Sequence, residues 1–128
     1  MKILGIGVDI IENKRIAISI KSLKFRNRIF SDKEIKQAFL LKDKKNYFSK
    51  RFAAKEAFAK ALGTGFRNGL NFKDIEIIND SVGKPCYIKN KKISKIIKQN
   101  FNVNKYNCFL SISDEKKYST AFAVIQSL

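Results

Sequence analysis

The sequence predicts an α+β domain whose helices pack on a mostly antiparallel sheet, and three observations predict it. Strand-like alternation occurs at both ends, at residues 3–10 and again at 109–113 and 118–125. Helix signals gather in the first half, where Ser31 and Glu34 match a capping box. No internal repeat or low-complexity boundary divides the chain, and the order of strands at both ends with helices early is that of an α+β domain. At 128 residues with 45% hydrophobic composition, the chain is one domain, 1–128, small enough that an elaborate site calls for a second subunit.

Residues 3–10 put Ile3, Gly5, Gly7 and Asp9 on one face and Leu4, Ile6, Val8 and Ile10 on the other, the pattern of a strand with one buried side. Two glycines clear space for another backbone or a ligand, and Asp9 stands at the end of that cleared face. Asp9 is either a ligand there or the start of a turn. From Asn13, a basic amphipathic segment carries Lys14, Arg15, Lys21, Lys24, Arg26 and Arg28, with Ile16, Ile20 and Leu23 as its apolar side. A capped helix to about Leu41 and a polar loop over 42–46 follow.

The central stretch, Arg51-Phe52-Ala53-Ala54-Lys55-Glu56-Ala57 through Leu62-Gly63-Thr64-Gly65, reads as a helix from Tyr47 that stops at Gly63. At about 100° per residue, Phe48, Phe52 and Ala59 form an apolar stripe, and Glu56 lies about 40° from its centre. Glu56 therefore sits at the edge of a buried face, as a site residue or as the partner of an i,i+4 pair with Lys60. Residues 72–79 read as a strand, 82–85 as a turn, Cys86–Lys89 as a short strand, and Ile93, Ile96 and Ile97 as one side of a small helix. A hairpin around Asp114-Glu115-Lys116-Lys117 closes the chain.

Lys and Arg number 27 against 11 Asp and Glu, a formal charge of +16 that suits nucleic acid, an acidic protein, an anionic surface or a phosphorylated ligand. Abundant Lys, Asn, Ile and Phe also fit a drift towards A+T-rich codons. Histidine is absent, which removes Ser/His/Asp and Cys/His catalysis and leaves carboxylates, lysines, arginines, hydroxyls and metal ions. Cys86 and Cys108 form no disulfide or zinc framework, so a reducing cytoplasm is expected. No run reaches membrane-spanning length, and the chain is expected to be soluble and unprocessed. The glycines at 63–69 are not a phosphate-binding P-loop, because no Gly-Lys-Ser/Thr enters a helix.

Gly5-Ile6-Gly7-Val8-Asp9-Ile10, the Arg51–Ala57 and Lys60–Gly65 runs, Gly83-Lys84-Pro85 and Ser111-Ile112-Ser113-Asp114-Glu115 with Tyr118 together resemble the small 4'-phosphopantetheinyl transferases, the holo-acyl-carrier-protein synthases. The resemblance spans nearly the whole chain. It implies the phosphopantetheinyl transferase fold, a homotrimer, Mg²⁺, and transfer of the 4'-phosphopantetheine arm of coenzyme A to a serine of apo acyl carrier protein, releasing adenosine 3',5'-bisphosphate.

On the same resemblance, Asp9 and Glu56 are the metal ligands, and Lys55 and Lys60 contact phosphate oxygens, with Glu56 and Lys60 as the catalytic pair. Arg51 is a candidate for the 3'-phosphate, within its own subunit or across a subunit boundary. Gly63, Thr64 and Gly65 let the backbone approach the nucleotide, Lys84 and Pro85 lie near the adenine, and Arg15 docks the acidic carrier. With no histidine, Glu56 or a metal-bound water takes the serine proton. Relatives often carry a histidine where this sequence has Phe109, so that contact is not carried over. The rival reading is a basic nucleic-acid-binding domain, but no DNA or RNA recognition motif is present, and neither nucleic acid nor a membrane is expected as a partner.

Overall fold

The structure is a computed structural model that describes residues 1–42, 44 and 46–128. Strand β1 (Lys2–Glu12) leads into three helices, α1 (Asn13–Ser19), α2 (Leu23–Ile29) and α3 (Asp32–Leu40), and then the central α4 (Tyr47–Leu62). After a 3-10 turn at Phe72–Asp74 come the short strands β2 (Ile77–Asn79) and β3 (Pro85–Tyr87), helix α5 (Lys91–Phe101), and the hairpin β4 (Tyr106–Asp114) and β5 (Tyr118–Ser127). The α+β architecture with antiparallel sheets is as expected. The loop expected at 42–46 includes Asp43 and Lys45, which lie outside the described residues.

The main sheet has the order β1-β5-β4, antiparallel throughout, so the first strand pairs with the last. A bulge between Ile3 and Gly5 shifts the register, after which Gly7 faces Ala123 and Asp9 faces Ala121. On the inner face Gly5 and Gly7 meet the backbone of α4. A Cβ on Gly5 would sit 1.9 Å from the Ala61 carbonyl oxygen, and one on Gly7 would sit 1.9 Å from that of Ala57. No other residue fits this approach, which sets β1 flush against the helix.

The buried side of β1 is thus the glycine side. Ile6, Val8 and Ile10, the apolar side in the alternation, are 59%, 56% and 66% exposed. In register with them lie Val124 and the exposed Phe122 of β5 and the exposed Phe109 of β4. Among the described residues, none covers Ile6, Val8, Ile10, Phe109 and Phe122 on this outer sheet face.

Helix α4 is buried nearly all round, from Tyr47 to Leu62, rather than along the expected stripe. Phe52 is only half-buried, stacked between Phe25 and Phe72. Five alanines, at 53, 54, 57, 59 and 61, let neighbours close on every side, while Phe58 packs against Tyr87 with ring centroids 4.8 Å apart. Burial of a side chain such as Phe58 contributes about 1.5–3 kcal/mol. Gly63 ends the helix with φ 82°, in the left-handed region where glycine carries no steric cost.

The strand expected over 72–79 is shorter than the alternation suggested. Its first part forms the 3-10 turn because side chains take its backbone groups: the Lys55 ammonium donates to Phe72 O (3.0 Å) and Ile75 O (2.6 Å), and Asp74 Oδ2 accepts from Asn71 N (2.7 Å). The basic segment from Asn13 is likewise broken in two, since Ser22 caps α2 through Phe25 N (3.2 Å). That break leaves Leu23 63% exposed, against the expectation that it joins Ile16 on the apolar side. The Ser31 and Glu34 capping box forms as expected. Asn13 does more than open α1: its side chain donates to Glu115 O (2.9 Å) and accepts from Ser119 Oγ (2.6 Å), tying α1 to the closing hairpin.

Candidate active site

The glycine-cleared face of β1 delivers Asp9 to the side of α4. Lys60 Nζ lies 3.1 Å from Asp9 Oδ1 and 2.9 Å from Val8 O. Lys60 remains 54% exposed, so this ion pair contributes less than about 1 kcal/mol and the ammonium is free to swing to another anion. Burial raises the Asp9 carboxyl above the ordinary carboxylate range, with the Lys60 hydrogen bond and charge working the other way. Burial also raises Glu56, and the Asp9 charge raises it further while Lys60 opposes. Two half-buried carboxylates, with the Asp9 charge bearing on Glu56 and one exposed ammonium opposing it, form an anionic site suited to positive charge.

Lys55, expected beside Lys60 as a phosphate contact, is elsewhere. Its side chain is fully buried, and Nζ donates to Glu34 Oε1 (2.8 Å) as well as to Phe72 O and Ile75 O. Three donors meet three acceptors inside the protein, so no substrate phosphate can reach it. Glu34 in turn serves Ser31 N (2.9 Å), Lys55 and Ile77 N. Only the capping role of Glu34 was readable from the sequence. Burial lowers the Lys55 pKa, against the opposing charge of Glu34.

Arg51 stands on another side of the helix, since five residues turn it about 140° from Glu56. It is buried, its guanidinium lies 4.5 Å from the Tyr47 ring centre, and one nitrogen donates to Gln37 Oε1 (3.3 Å). Its Nε has no hydrogen-bond partner among the described residues. A cleft of about 330 Å³ brings Arg51 together with Lys50, Gly83, Pro85, Ile112 and Asp114. Lys84 is exposed on the adjoining turn, which Asp80 Oδ1 organises by accepting from Val82 N (3.0 Å) and Lys84 N (2.9 Å).

One chain therefore holds the predicted residues as two groups. Asp9, Glu56 and Lys60 lie where β1 crosses the side of α4, whereas Arg51, Gly83 and Pro85 line a separate cleft. Arg15 is exposed on α1, beside the 59% exposed Ile18. Phe109 is 47% exposed on the outer sheet face. Burial pushes the Cys108 thiol up to about 12, which leaves it no nucleophilic character near neutral pH.

No helix among the described residues is long and apolar enough to cross a membrane. The sequence profile of the 4'-phosphopantetheinyl transferase superfamily matches residues 5–123. A holo-(acyl-carrier-protein) synthase of Pelagibacter ubique is 59% identical over 126 residues, covering 98% of both chains. The holo-(acyl-carrier-protein) synthase of Bacillus anthracis, solved in complex with CoA (3',5'-ADP), superimposes with a TM-score of 0.82 at 37% identity, over 100% of each chain. That of Helicobacter pylori, solved with coenzyme A, gives 0.76 at 32% identity over 94% of this chain and 99% of that one. The chain belongs to the 4'-phosphopantetheinyl transferase superfamily, among its holo-(acyl-carrier-protein) synthases.

Proposed function

We propose that this enzyme moves the 4'-phosphopantetheine arm of coenzyme A onto a serine of apo acyl carrier protein and releases adenosine 3',5'-bisphosphate, with Mg²⁺ held by Asp9 and Glu56. What supports the reading is that the Asp9 charge bears on Glu56, that the exposed Lys60 bonds to Asp9, and that Gly5 and Gly7 bring this strand flush against α4. The donor set fits the ion. Mg²⁺ takes oxygen ligands, commonly one or two carboxylates with water and substrate phosphates completing the octahedron. When bound, it supplies charge against the coenzyme's diphosphate and the leaving bisphosphate.

The protein's own groups do the rest. Lys60 swings from Asp9 to a diphosphate oxygen. Glu56, with its pKa raised, is the base that accepts the serine proton. The serine oxygen bonds to the phosphorus next to the pantetheine, the P–O bond of the diphosphate breaks, and the electron pair leaves on adenosine 3',5'-bisphosphate. The left-handed turn at Gly63 and Gly65 lets the backbone close on the nucleotide.

The second cleft, with Arg51, Lys84 and Pro85, takes the 3'-phosphate and adenine of coenzyme A bound at a neighbouring protomer. Two half-sites on one chain and the uncovered apolar face of Ile6, Val8, Ile10, Phe109 and Phe122 both support a homotrimer with sites between its subunits. Exposed Ile18 and Leu23, set among Lys14, Arg15, Lys21 and Lys24, suit an acidic carrier surface with apolar residues at its centre. We place the enzyme in the cytoplasm, in lipid synthesis, and assign it neither nucleic acid nor a membrane as partner.

Intact-mass measurement of apo carrier protein, incubated with the enzyme, coenzyme A and Mg²⁺, tests the reading. The carrier gains one phosphopantetheine and a chelator prevents it. An unmodified carrier, together with a salt-sensitive gel shift of a mixed oligonucleotide, would favour the nucleic-acid reading instead.

A further inference from the structure

We propose that Asn100, on the last turn of α5, is a positioning residue for the connection that leaves α4, and through it for coenzyme A. The identity of that ligand rests on the function proposed above. Leu62 is the final residue of α4, and its carbonyl belongs to the last turn, which has no partner within the helix. Asn100 Nδ2 donates to Leu62 O (3.1 Å) and to Thr64 Oγ1 (3.0 Å), spanning the left-handed Gly63. The far end of the connection is held separately, by the Phe66 ring 4.0 Å from that of Phe72 and by buried Leu70. Helix α5 is itself anchored through Ile93, Ile96 and Ile97, so Asn100 reaches out from a rigid element.

Gly63, Gly65 and Gly69 all have positive φ, so the released backbone would have many conformations open to it. Asn100 fixes the start of this segment before ligand arrives, and a binding-competent fraction below one weakens apparent affinity in proportion. Alanine at position 100 removes both bonds while suiting a helix better than asparagine, so α5 is retained.

Asn100→Ala should raise the KM for coenzyme A about tenfold, the scale of one or two net hydrogen bonds. The KM for carrier protein and the kcat at saturating coenzyme A should stay within about twofold, since neither depends on how often the free loop is competent. Trypsin should cut after exposed Arg67 faster than in wild type, and coenzyme A should suppress the difference. Asn100→Asp, which cannot donate to Leu62 O, should behave like the alanine variant. Unchanged KM for coenzyme A in both variants would overturn the proposal, as would equal rises in both KM values with a lowered Tm. The trypsin rates separate this from the function itself: faster cutting without any transfer activity leaves the pin intact and rejects only coenzyme A as its beneficiary, whereas unchanged cutting rejects the pin.

Discussion

The Lys55 ammonium lies 2.8 Å from Glu34 Oε1, and both side chains are withdrawn from solvent at the junction of α3, α4 and the turn before β2. Removing one member strands the other, which costs roughly 3–5 kcal/mol in a buried pair. Lys55→Met should therefore lower the urea midpoint sharply, while protein that remains folded keeps its KM for coenzyme A. Lys60→Met should do the reverse: stability within about 0.5 kcal/mol of wild type, with transfer reduced about 100-fold through loss of a charge on the diphosphate. A stable Lys55→Met enzyme with impaired coenzyme binding would restore Lys55 to the phosphate site.

Gly7 touches the Ala57 carbonyl so closely that a methyl group has nowhere to go. Gly7→Ala must push β1 away from α4, and a cost of roughly 3 kcal/mol or more follows from forced overpacking. Because Asp9 rides on the same strand, divalent-metal affinity should fall along with the thermal midpoint. A variant with wild-type stability would show that β1 has slack there.

Burial holds both Asp9 and Glu56 above the ordinary carboxylate range, and the charge of Asp9 adds to the shift at Glu56. A raised carboxyl pKa favours the native state while the group is protonated, and that advantage is lost as pH rises through the folded pKa. At pH 8 in chelator, the ionised Glu56 thus weighs against folding. Glu56→Gln should raise Tm at pH 8 and leave it unchanged at pH 3, while transfer falls at least about 100-fold with loss of the base. A lower Tm for the glutamine variant at pH 8 would contradict the assigned direction.

Arg15 is exposed and central to the basic α1 surface. Arg15→Glu should raise the KM for carrier protein about tenfold or more and leave that for coenzyme A nearly unchanged, with the contrast shrinking as salt is added. Parallel changes in both constants would remove α1 as the docking surface.

Local signals made much of this architecture legible. The Ser31 and Glu34 box, the Gly63 cap and the period-two runs at both chain ends each depend on a few neighbouring residues. What escaped depends on distant ones. Alternation divides β1 into two faces but does not say which is covered; the answer lies in the alanines of α4, which admit the glycine side and leave Ile6, Val8 and Ile10 outside. Lys55 and Lys60 look alike on one helix. Only the return of Phe72 and Ile75 to Lys55 distinguishes a buried tie from a mobile surface cation. The shortening of the strand over 72–79 has the same origin, since its carbonyls are engaged by that buried ammonium. The pairing of Asp9 with Glu56 came through the resemblance, and the two glycines on the strand already marked the side on which Asp9 approaches α4.

The proposed cation site at Asp9 and Glu56 is most directly tested by titrating Mn²⁺ into the enzyme in the presence of coenzyme A and following free metal by electron paramagnetic resonance. One ion should bind per chain in the wild type, and Asp9→Asn and Glu56→Gln should each weaken it by more than about tenfold, the scale on which even outer-shell partners of a metal site act. Wild-type Mn²⁺ affinity in both variants would contradict the account.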